Sequence, residues 1–232
     1  PINVGIIMDG NRRWAESRGL PPIIGHQKGA RVVKKIIKQA VIRNVNQLTF
    51  FAFSTENWSR SDSEINALFS LFEWYIKSNI SELKKNNVIF KVIGDKTQLS
   101  LSLKGLIEKS EDLTKDNSGL SLNVAINYGG KIDILHAVKS ICSEVNSDKK
   151  EIKDVSENTI QKHLLSSYIE DIDLLIRTSG ERRVSNFLLW QIAYSEIYFS
   201  NTMWPDYSEK DFDLALNDYK LRERRYGSSL VV

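Results

Sequence analysis

Polar side chains that suit phosphate oxygens follow three separate apolar runs of this chain. The three polar segments are residues 9–13 (DGNRR), 54–60 (STENWSR) and 177–186 (RTSGERRVSN). Guanidinium groups, Ser, Thr and Asn donors, and glycines that leave backbone N–H groups accessible all bind phosphate in proteins. We therefore predict a phosphate site that contains Arg13, Arg60, Arg177 and Arg183.

Asp9 is a carboxylate among these cations, and two interpretations remain open for it. A carboxylate beside arginines commonly forms a structural salt bridge. Alternatively, Asp9 binds Mg²⁺, an ion that takes oxygen ligands and is often held by few protein carboxylates together with substrate phosphates. His26 follows Gly25 and precedes an expected helix. On its own, it fits a structural residue or a donor at the N-terminus of that helix.

The elements that must position these side chains alternate along the sequence. Strand-length apolar runs and longer amphipathic stretches predict one α/β domain with a mostly parallel central sheet flanked by helices. The predicted strands are residues 2–8, 47–53, 88–93, 120–127, 172–176 and 196–199. The predicted helices are residues 28–43, 62–85, 98–116, 132–145, 157–166 and 209–224. Because ligands bind at the carboxyl ends of parallel strands, the polar segments are expected at one edge of the sheet.

The predicted helix 62–85 is unusually rich in large apolar residues. Ile65, Leu68, Phe72 and Ile76 recur at helical spacing. One interpretation is a helix buried over most of its surface, and the other is a wall of an elongated apolar cavity. An apolar wall beside a phosphate site would suit a ligand with a diphosphate head and a hydrocarbon tail.

Several other classes of protein are excluded or disfavoured. Neither GxxxxGKS/T nor GxGxxG occurs, so the usual nucleotide motifs are absent. The net charge of +3 is too small to indicate a nucleic-acid-binding surface. The single cysteine, Cys142, excludes a disulfide framework, favours a cytoplasmic setting, and is predicted to be buried in an apolar helix. No apolar run approaches ~18 residues, so no transmembrane helix is predicted.

A set of motifs spans nearly the whole chain. They are IIMDGNRRW, GHQKGA, FAFSTENWSR, VIGD, LNVAINYGG, DLLIRTSGERRVSNFLLWQIAYSEIYF, WPD and RERRYG. In this order they resemble the cis-prenyltransferase family, most closely its bacterial undecaprenyl diphosphate synthases (isoprenyl transferases). The resemblance assigns residues 1–227 to one such domain with an apolar tunnel, and leaves residues 228–232 as a C-terminal tail.

The resemblance also implies an activity. Members add isopentenyl diphosphate repeatedly to an allylic diphosphate, usually farnesyl diphosphate, to give a long cis-polyprenyl diphosphate such as undecaprenyl diphosphate, the lipid carrier precursor for cell-wall synthesis. They use Mg²⁺ and act as homodimers. No nucleic-acid partner is expected. The greasy product implies transient membrane contact, so the expected location is the cytoplasm, peripheral to the membrane.

The resemblance further implies roles for individual residues. Asp9 and Asn57 are the expected catalytic residues, and Asp9 and Glu196 are the expected metal ligands, with Glu196 reaching the site across the dimer. Arg177, Arg183, Val184 and Ser185 are expected to bind isopentenyl diphosphate. The other expected substrate-binding residues are Gly10, Asn11, Arg12, Arg13, Trp14, His26, Ser54, Thr55, Glu56, Trp58 and Arg60. Leu120 is expected at the far end of the tunnel.

Two positions depart from the family pattern and leave rival functions open. Arg12 stands where the family commonly has glycine, and Pro22 stands where it usually has an arginine. We hypothesise that Arg12 or Arg18 supplies the missing charge. The rivals are a synthase of a shorter or differently joined product, a non-catalytic prenyltransferase-like subunit, and a phosphate-ester hydrolase or lipid-phosphate-binding protein.

Overall fold

A computed structural model of the protein describes residues 1–224. Its strands are β1 (Asn3–Ile7), β2 (Gln47–Ser54), β3 (Ile89–Ile93), β4 (Ser121–Tyr128), β5 (Leu174–Arg177) and β6 (Glu196–Phe199). Its helices are α1 (Asn11–Glu16), α2 (Pro22–Ile42), α3 (Asp62–Lys85), α4 (Leu101–Thr114), α5 (Gly130–Asn146), α6 (Glu157–His163) and α7 (Glu209–Leu221). Short 3₁₀ turns cover Thr55–Ser59, Ile152–Asp154 and Trp204–Asp206. The predicted tail 228–232 and the last residues of RERRYG lie outside the described part.

The strands form one six-stranded sheet in the order β3-β4-β2-β1-β5-β6. Every pair in it is parallel, which confirms the predicted α/β class. Ile7 of β1 lies opposite both Phe51 of β2 and Arg177 of β5. The three polar segments therefore leave the sheet at the same edge, as the sequence predicted.

The sheet has an apolar core on each face. The larger core packs β1, β2 and β4 against α2, α3, α4 and α7. The smaller core includes Tyr128, Phe187 and Leu188. Phe187 stacks on Phe51 with ring centroids 4.6 Å apart. This stacking fixes the long β5–β6 connection against the sheet.

Three local predictions were wrong. Helix α2 begins at Pro22 instead of residue 28, because proline favours the first helical position, and His26 therefore lies within the helix. The segment after Asp9, where no helix was predicted, forms the short helix α1. Cys142 is exposed, since α5 buries Asp133, Ala137 and Ile141, and the next residue points about 100° away from that stripe.

Within residues 1–224, the helices are all too short or too polar to cross a membrane.

Candidate active site

A cavity of about 690 Å³ opens at the carboxyl ends of β1, β2 and β5. One end is polar and is lined by Asp9, Asn11, His26, Ser54, Glu56, Asn57, Arg60, Arg177, Arg183, Ser185 and Asn186. The other end is apolar and is lined by Val33, Phe53, Leu68, Phe69, Leu71, Phe72, Tyr75, Val124 and Ile126. The cavity thus joins a charged head region to a hydrocarbon-lined region.

Helix α3 is not buried over most of its surface, since only Ile65, Ile76, Asn79 and Leu83 are buried, and it does line the cavity. It buries Ile65, Ile76 and Leu83 in the core. Five other apolar or aromatic side chains of this helix line the cavity, namely Leu68, Phe69, Leu71, Phe72 and Tyr75. Two adjacent apolar stripes therefore serve packing and a ligand wall respectively.

Asp9 lies between two arginines at the polar end. Its Oδ2 accepts a hydrogen bond from Arg177 at 2.8 Å, and its Oδ1 lies 3.4 Å from Arg13 Nη2. Partial burial alone would raise the pKa of Asp9, but the hydrogen bond and charge of Arg177, with the charge of Arg13, hold it below its usual value. The backbone N–H of Asp9 donates to Thr178 Oγ1 at 2.9 Å, which fixes its position. The salt bridge is therefore present, and the carboxylate is ionised and oriented.

Glu181 extends this ion pair into an alternating chain of charges. Its Oε1 accepts from Arg13 at 2.8 Å, and its Oε2 accepts from Arg183. Arg177, only 4% exposed, also donates to Ser185 Oγ at 2.6 Å. The order is thus Arg177, Asp9, Arg13, Glu181, Arg183. Sequence reasoning assigned no role to Glu181, although its position between arginines in SGERR was a usable signal.

Several buried polar atoms at this end have no protein partner among the described residues. They are Asn11 Oδ1, His26 Nε2, Arg177 Nε and Ser179 Oγ. Buried polar atoms are normally hydrogen-bonded, so an unpartnered group of them beside a cavity suits a bound polar ligand. Gly10 permits the close approach of this loop, because its φ is +103° and a Cβ there would lie 2.9 Å from Ser179 Oγ.

His26 lines the cavity as an uncharged imidazole. Burial, and then the charge of Arg60, lowers its pKa from 6.5 to about 4. A neutral imidazole can still donate one N–H to a phosphate oxygen, but it adds no positive charge at pH 7.

The low pKa of His26 makes the stability of the protein depend on pH. The unfolded chain protonates this group near pH 6.5, whereas the folded chain protonates it only near pH 4. The free energy of unfolding should therefore decrease as the pH falls across this window, by up to about 3 kcal/mol from this group. Urea unfolding of the wild type and His26→Gln at pH 4.5, 5.5 and 7.5 checks this. Equal slopes for the two proteins would contradict the assignment.

The residues around Trp14 form a separate packed cluster. The indole lies between the Arg18 guanidinium at 4.2 Å and the Lys28 ammonium at 4.3 Å. Its N–H donates to Asp206 Oδ2 at 2.7 Å, and Asp206 also binds Arg18 and Lys28. Trp14 and Arg18 lie outside the cavity lining, so the structure offers them no direct contact with a ligand there.

Arg12 does not line the cavity, but Glu64 links it to Arg60, which does. The Arg12 guanidinium binds Glu16 at 2.8 Å and Glu64 at 3.4 Å. Glu64 in turn binds Arg60, a cavity residue, at 2.9 Å. Arg12 has ordinary helical backbone geometry within α1, so replacing the family's glycine causes no positive-φ strain.

This geometry predicts different effects for the two candidate arginines. Arg12→Ala should raise the KM for the allylic diphosphate about fivefold, because a positive charge near the diphosphate position is lost and the negative charge of Glu64 is then balanced by Arg60 alone. Arg18→Ala should leave that KM within about twofold, because Arg18 is bound to Asp206. Steady-state kinetics with varied allylic substrate measure both. Equal KM values in the two variants would refute a role for Arg12.

The segment 54–60 forms a hydrogen-bonded turn beside the cavity. Asn57 Oδ1 accepts from the backbone N–H of Ser54 at 3.0 Å. Trp58 packs on Phe53 and Phe69 and donates to Asn127 Oδ1 at 2.7 Å. Asn57 lines the cavity, whereas Trp58 lies outside the lining and packs behind Phe53 and Phe69, which belong to it.

Some predicted site residues are not in the cavity lining. These are Gly10, Arg12, Arg13, Trp14, Thr55, Trp58, Val184 and Glu196. Gly10 and Arg13 nonetheless flank Asp9 directly. The lining also contains Asn186, which sequence reasoning left without a role. Its position directly after Ser185 was the available signal.

Glu196 lies far from Asp9 within one chain. It is the first residue of β6 and lies opposite Leu174, whereas Arg177, which binds Asp9, lies opposite Phe199. Three residues of strand separate these levels by about 10 Å. Glu196 instead accepts from Arg222 at 2.9 Å. Over residues 1–224, no three His, Cys, Asp or Glu side chains cluster as a metal site.

Comparison with known proteins gives the decisive observation. The prenyltransferase family model, which describes undecaprenyl diphosphate synthase, matches residues 7–227. The chain belongs to the undecaprenyl diphosphate synthase family. A ditrans,polycis-undecaprenyl-diphosphate synthase ((2E,6E)-farnesyl-diphosphate specific) of Haemophilus influenzae is 46% identical over 99% of this chain and 96% of its own length. An isoprenyl transferase of Prochlorococcus marinus is 47% identical, over 98% of this chain and 84% of its own.

A solved relative extends the family resemblance to three dimensions. The crystal structure of lavandulyl diphosphate synthase from Lavandula x intermedia, in complex with dimethylallyl diphosphate, superposes with a TM-score of 0.95. The two proteins are 37% identical, and the match covers 98% of each chain. Synthases named for different products therefore share this undecaprenyl diphosphate synthase family fold.

Proposed function

We propose that this protein is a cis-prenyltransferase that elongates an allylic diphosphate, farnesyl diphosphate first, with isopentenyl diphosphate to an undecaprenyl-type product. The observation that carries the proposal is that one and the same cavity has an arginine-rich end and an end lined by aliphatic and aromatic side chains. The farnesyl-diphosphate-specific synthases among its relatives support the choice of substrates.

In this proposal the chain's residues divide the reaction between them. Arg177, Arg183 and Ser185 bind the diphosphate of isopentenyl diphosphate. The Gly10–Arg13 segment and His26 bind the allylic diphosphate. The allylic C–O bond breaks, the bonding pair leaves with the diphosphate, and C4 of isopentenyl diphosphate bonds to the allylic C1. C3 of the added unit is then cationic, and the C2–H bonding pair forms the new C2=C3 double bond. The C2 proton passes to an oxygen of the released diphosphate, and Asn57 orients this transfer. The apolar walls keep water from the allylic cation.

Mg²⁺ fits the polar end as an ion held by few protein ligands. Asp9 supplies an ionised carboxylate at the cavity, and substrate phosphates would supply further oxygen ligands. When bound, Mg²⁺ would neutralise charge on the departing diphosphate.

Incubation with radiolabelled isopentenyl diphosphate, farnesyl diphosphate and Mg²⁺ tests the proposal. Long polyprenyl diphosphates support it, and no incorporation refutes it. A single short or branched product would support the second candidate, a shorter or differently joined synthase. The close superposition on lavandulyl diphosphate synthase favours including that candidate in the product analysis.

The position of Glu196 supports a homodimer in which this residue completes the partner's site. If so, Asp9→Ala and Glu196→Ala should each be inactive alone. Mixed after denaturation and refolding together, they should recover about a quarter of wild-type activity, because half the dimers would hold one intact site. Recovery near zero would contradict sharing between subunits. Light scattering on the same samples checks that dimers form.

Membrane contact is proposed only for product release. Sedimentation with liposomes of anionic lipid, with and without product in the cavity, tests it. Equal amounts of protein in the pellet with and without liposomes would contradict it.

A further inference from the structure

Asn186 lies where three loops of the cavity rim meet. It follows Ser185 in the β5–β6 connection, and its backbone has a φ of +62°. Asparagine is among the few residues other than glycine that adopt this left-handed geometry readily. The reaction steps described above assign it no task.

Asn186 is bound firmly to the start of α5. Its carbonyl accepts from the backbone N–H of Gly130 at 2.7 Å, and its Oδ1 accepts from the N–H of Lys131 at 2.9 Å. A backbone N–H can only donate, so the amide oxygen must face Lys131. The orientation of the side-chain amide is therefore fixed by chemistry, and its NH₂ group points the other way.

That NH₂ group holds the neighbouring turn. Asn186 Nδ2 donates to Glu56 Oε1 at 2.9 Å. Glu56 belongs to the turn Thr55–Ser59, which also carries Asn57. Burial alone would raise the pKa of Glu56, but hydrogen bonds from its own backbone N–H, Asn186, Ser54 and Thr55 together lower it. The acceptor is thus ionised, which strengthens the bond.

The local backbone is shaped for this approach. A Cβ at Gly129 would lie 2.7 Å from Asn186 Nδ2 and 2.7 Å from Thr55 Oγ1. A glycine at the end of β4 therefore lets both loops close over it. The Glu56 contact is the only side-chain hydrogen bond that the described residues make between the Thr55–Ser59 turn and the β5–β6 connection.

We propose that Asn186 is a positioning residue that holds Glu56 and thereby fixes Asn57 relative to the Arg183–Ser185 segment. The inference rests on the proposed function, because it concerns the alignment of the proton-removal region with the bound isopentenyl diphosphate. An error of about 1 Å in such an alignment can cost about a hundredfold in rate.

The variant Asn186→Asp tests the hydrogen bond to Glu56 separately from the hydrogen bonds that hold residue 186 to the start of α5. The new carboxylate still accepts from Lys131 and suits the N-terminus of α5. It cannot donate to Glu56 and instead repels it. We expect kcat to fall about tenfold or more, with the KM for isopentenyl diphosphate changing less than threefold and the melting temperature nearly unchanged.

Combining Asn186→Asp with Glu56→Gln restores the bond with its direction reversed, because the glutamine NH₂ can donate to the new carboxylate. The double variant should regain the kcat of Glu56→Gln alone, which is measured separately. Wild-type kcat in Asn186→Asp would overturn the proposal, as would a double variant as impaired as the product of the two single effects. A wild type without any isoprenoid incorporation would instead refute the proposed function.

Discussion

Replacing Asp9 with asparagine is expected to lower kcat by about a thousandfold, the upper range for losing one group that stabilises developing charge. The amide side chain would keep the size of the carboxylate and the backbone contact to Thr178, but it would lack the ionised oxygen that faces the cavity. Arg177 retains its bonds to the carbonyl of Arg183 and to Ser185, so the variant should remain folded. Steady-state turnover with saturating substrates measures the effect.

Asp213 provides a matched control for Asp9. Both side chains are about one quarter exposed and both form arginine salt bridges, Asp213 with Arg43 and Asp9 with Arg177. Asp213 lies on α7, outside the cavity lining. Asp213→Asn should therefore keep wild-type kcat and lose only about 1 kcal/mol of stability. Similar kcat losses in both variants would contradict a specific role for Asp9.

The second large effect concerns the length of the product. Tyr75 lines the main cavity and also a second one of about 350 Å³ between α2 and α3. Its side chain thus lies between the apolar end of the main cavity and a second space whose lining mixes apolar residues, such as Ile37 and Leu83, with charged ones, such as Lys34. We expect Tyr75→Ala to shift the product distribution toward longer chains by at least one isoprene unit, and Tyr75→Trp to shift it toward shorter ones, because pocket size sets which chains fit.

Chromatography of dephosphorylated products, at a fixed ratio of the two substrates, measures these shifts. Trp74→Ala is the control, since Trp74 is adjacent, 53% exposed and outside both cavity linings. The rate of the first condensation should stay near wild type in all three variants. Unchanged distributions in both Tyr75 variants would remove Tyr75 as a determinant of length.

Leu120 behaves differently in this structure. It lies in the core and outside both cavity linings, so its expected place at the far end of a tunnel stays a prediction. Sequence reasoning could place it at the start of a strand but not relative to a cavity, because the cavity depends on how α2 and α3 pack.

The fold class could be predicted because it depends on local patterns. Apolar runs of strand length survive in the structure as strands, and Ile7, Phe51 and Arg177 align as expected at one edge. The strand order was not predictable, because the apolar pattern of β3 would suit pairing with any parallel strand, and the pairing with β4 depends on how the helices pack. The early start of α2 was not predicted, although Pro22 at its first position is a recognised signal of a helix N-terminus.

The candidate site was predictable wherever a residue acts through its own strand end. Asp9 and Asn57 lie within three residues of the ends of β1 and β2, Arg177 is the last residue of β5, and all three line the cavity. Prediction failed for residues whose position depends on contacts between loops. Glu181 and Asn186 received no role from the sequence, and Trp14 lies outside the cavity lining. Trp14 lies in a separate packed cluster because Asp206, 192 residues later, binds its indole. Distant partners of this kind leave no trace in local sequence.

The alternating charges from Arg177 to Arg183 also bear on turnover. Each arginine of this chain of charges already has a carboxylate partner within the protein, since Asp9 and Glu181 stand between them. An enzyme that extends a chain repeatedly must discard a free diphosphate after every addition while it keeps the hydrocarbon. When the diphosphate leaves, Asp9 and Glu181 again form ion pairs with these arginines. These ion pairs lower the free-energy cost of diphosphate release, so the site returns to its starting arrangement between additions.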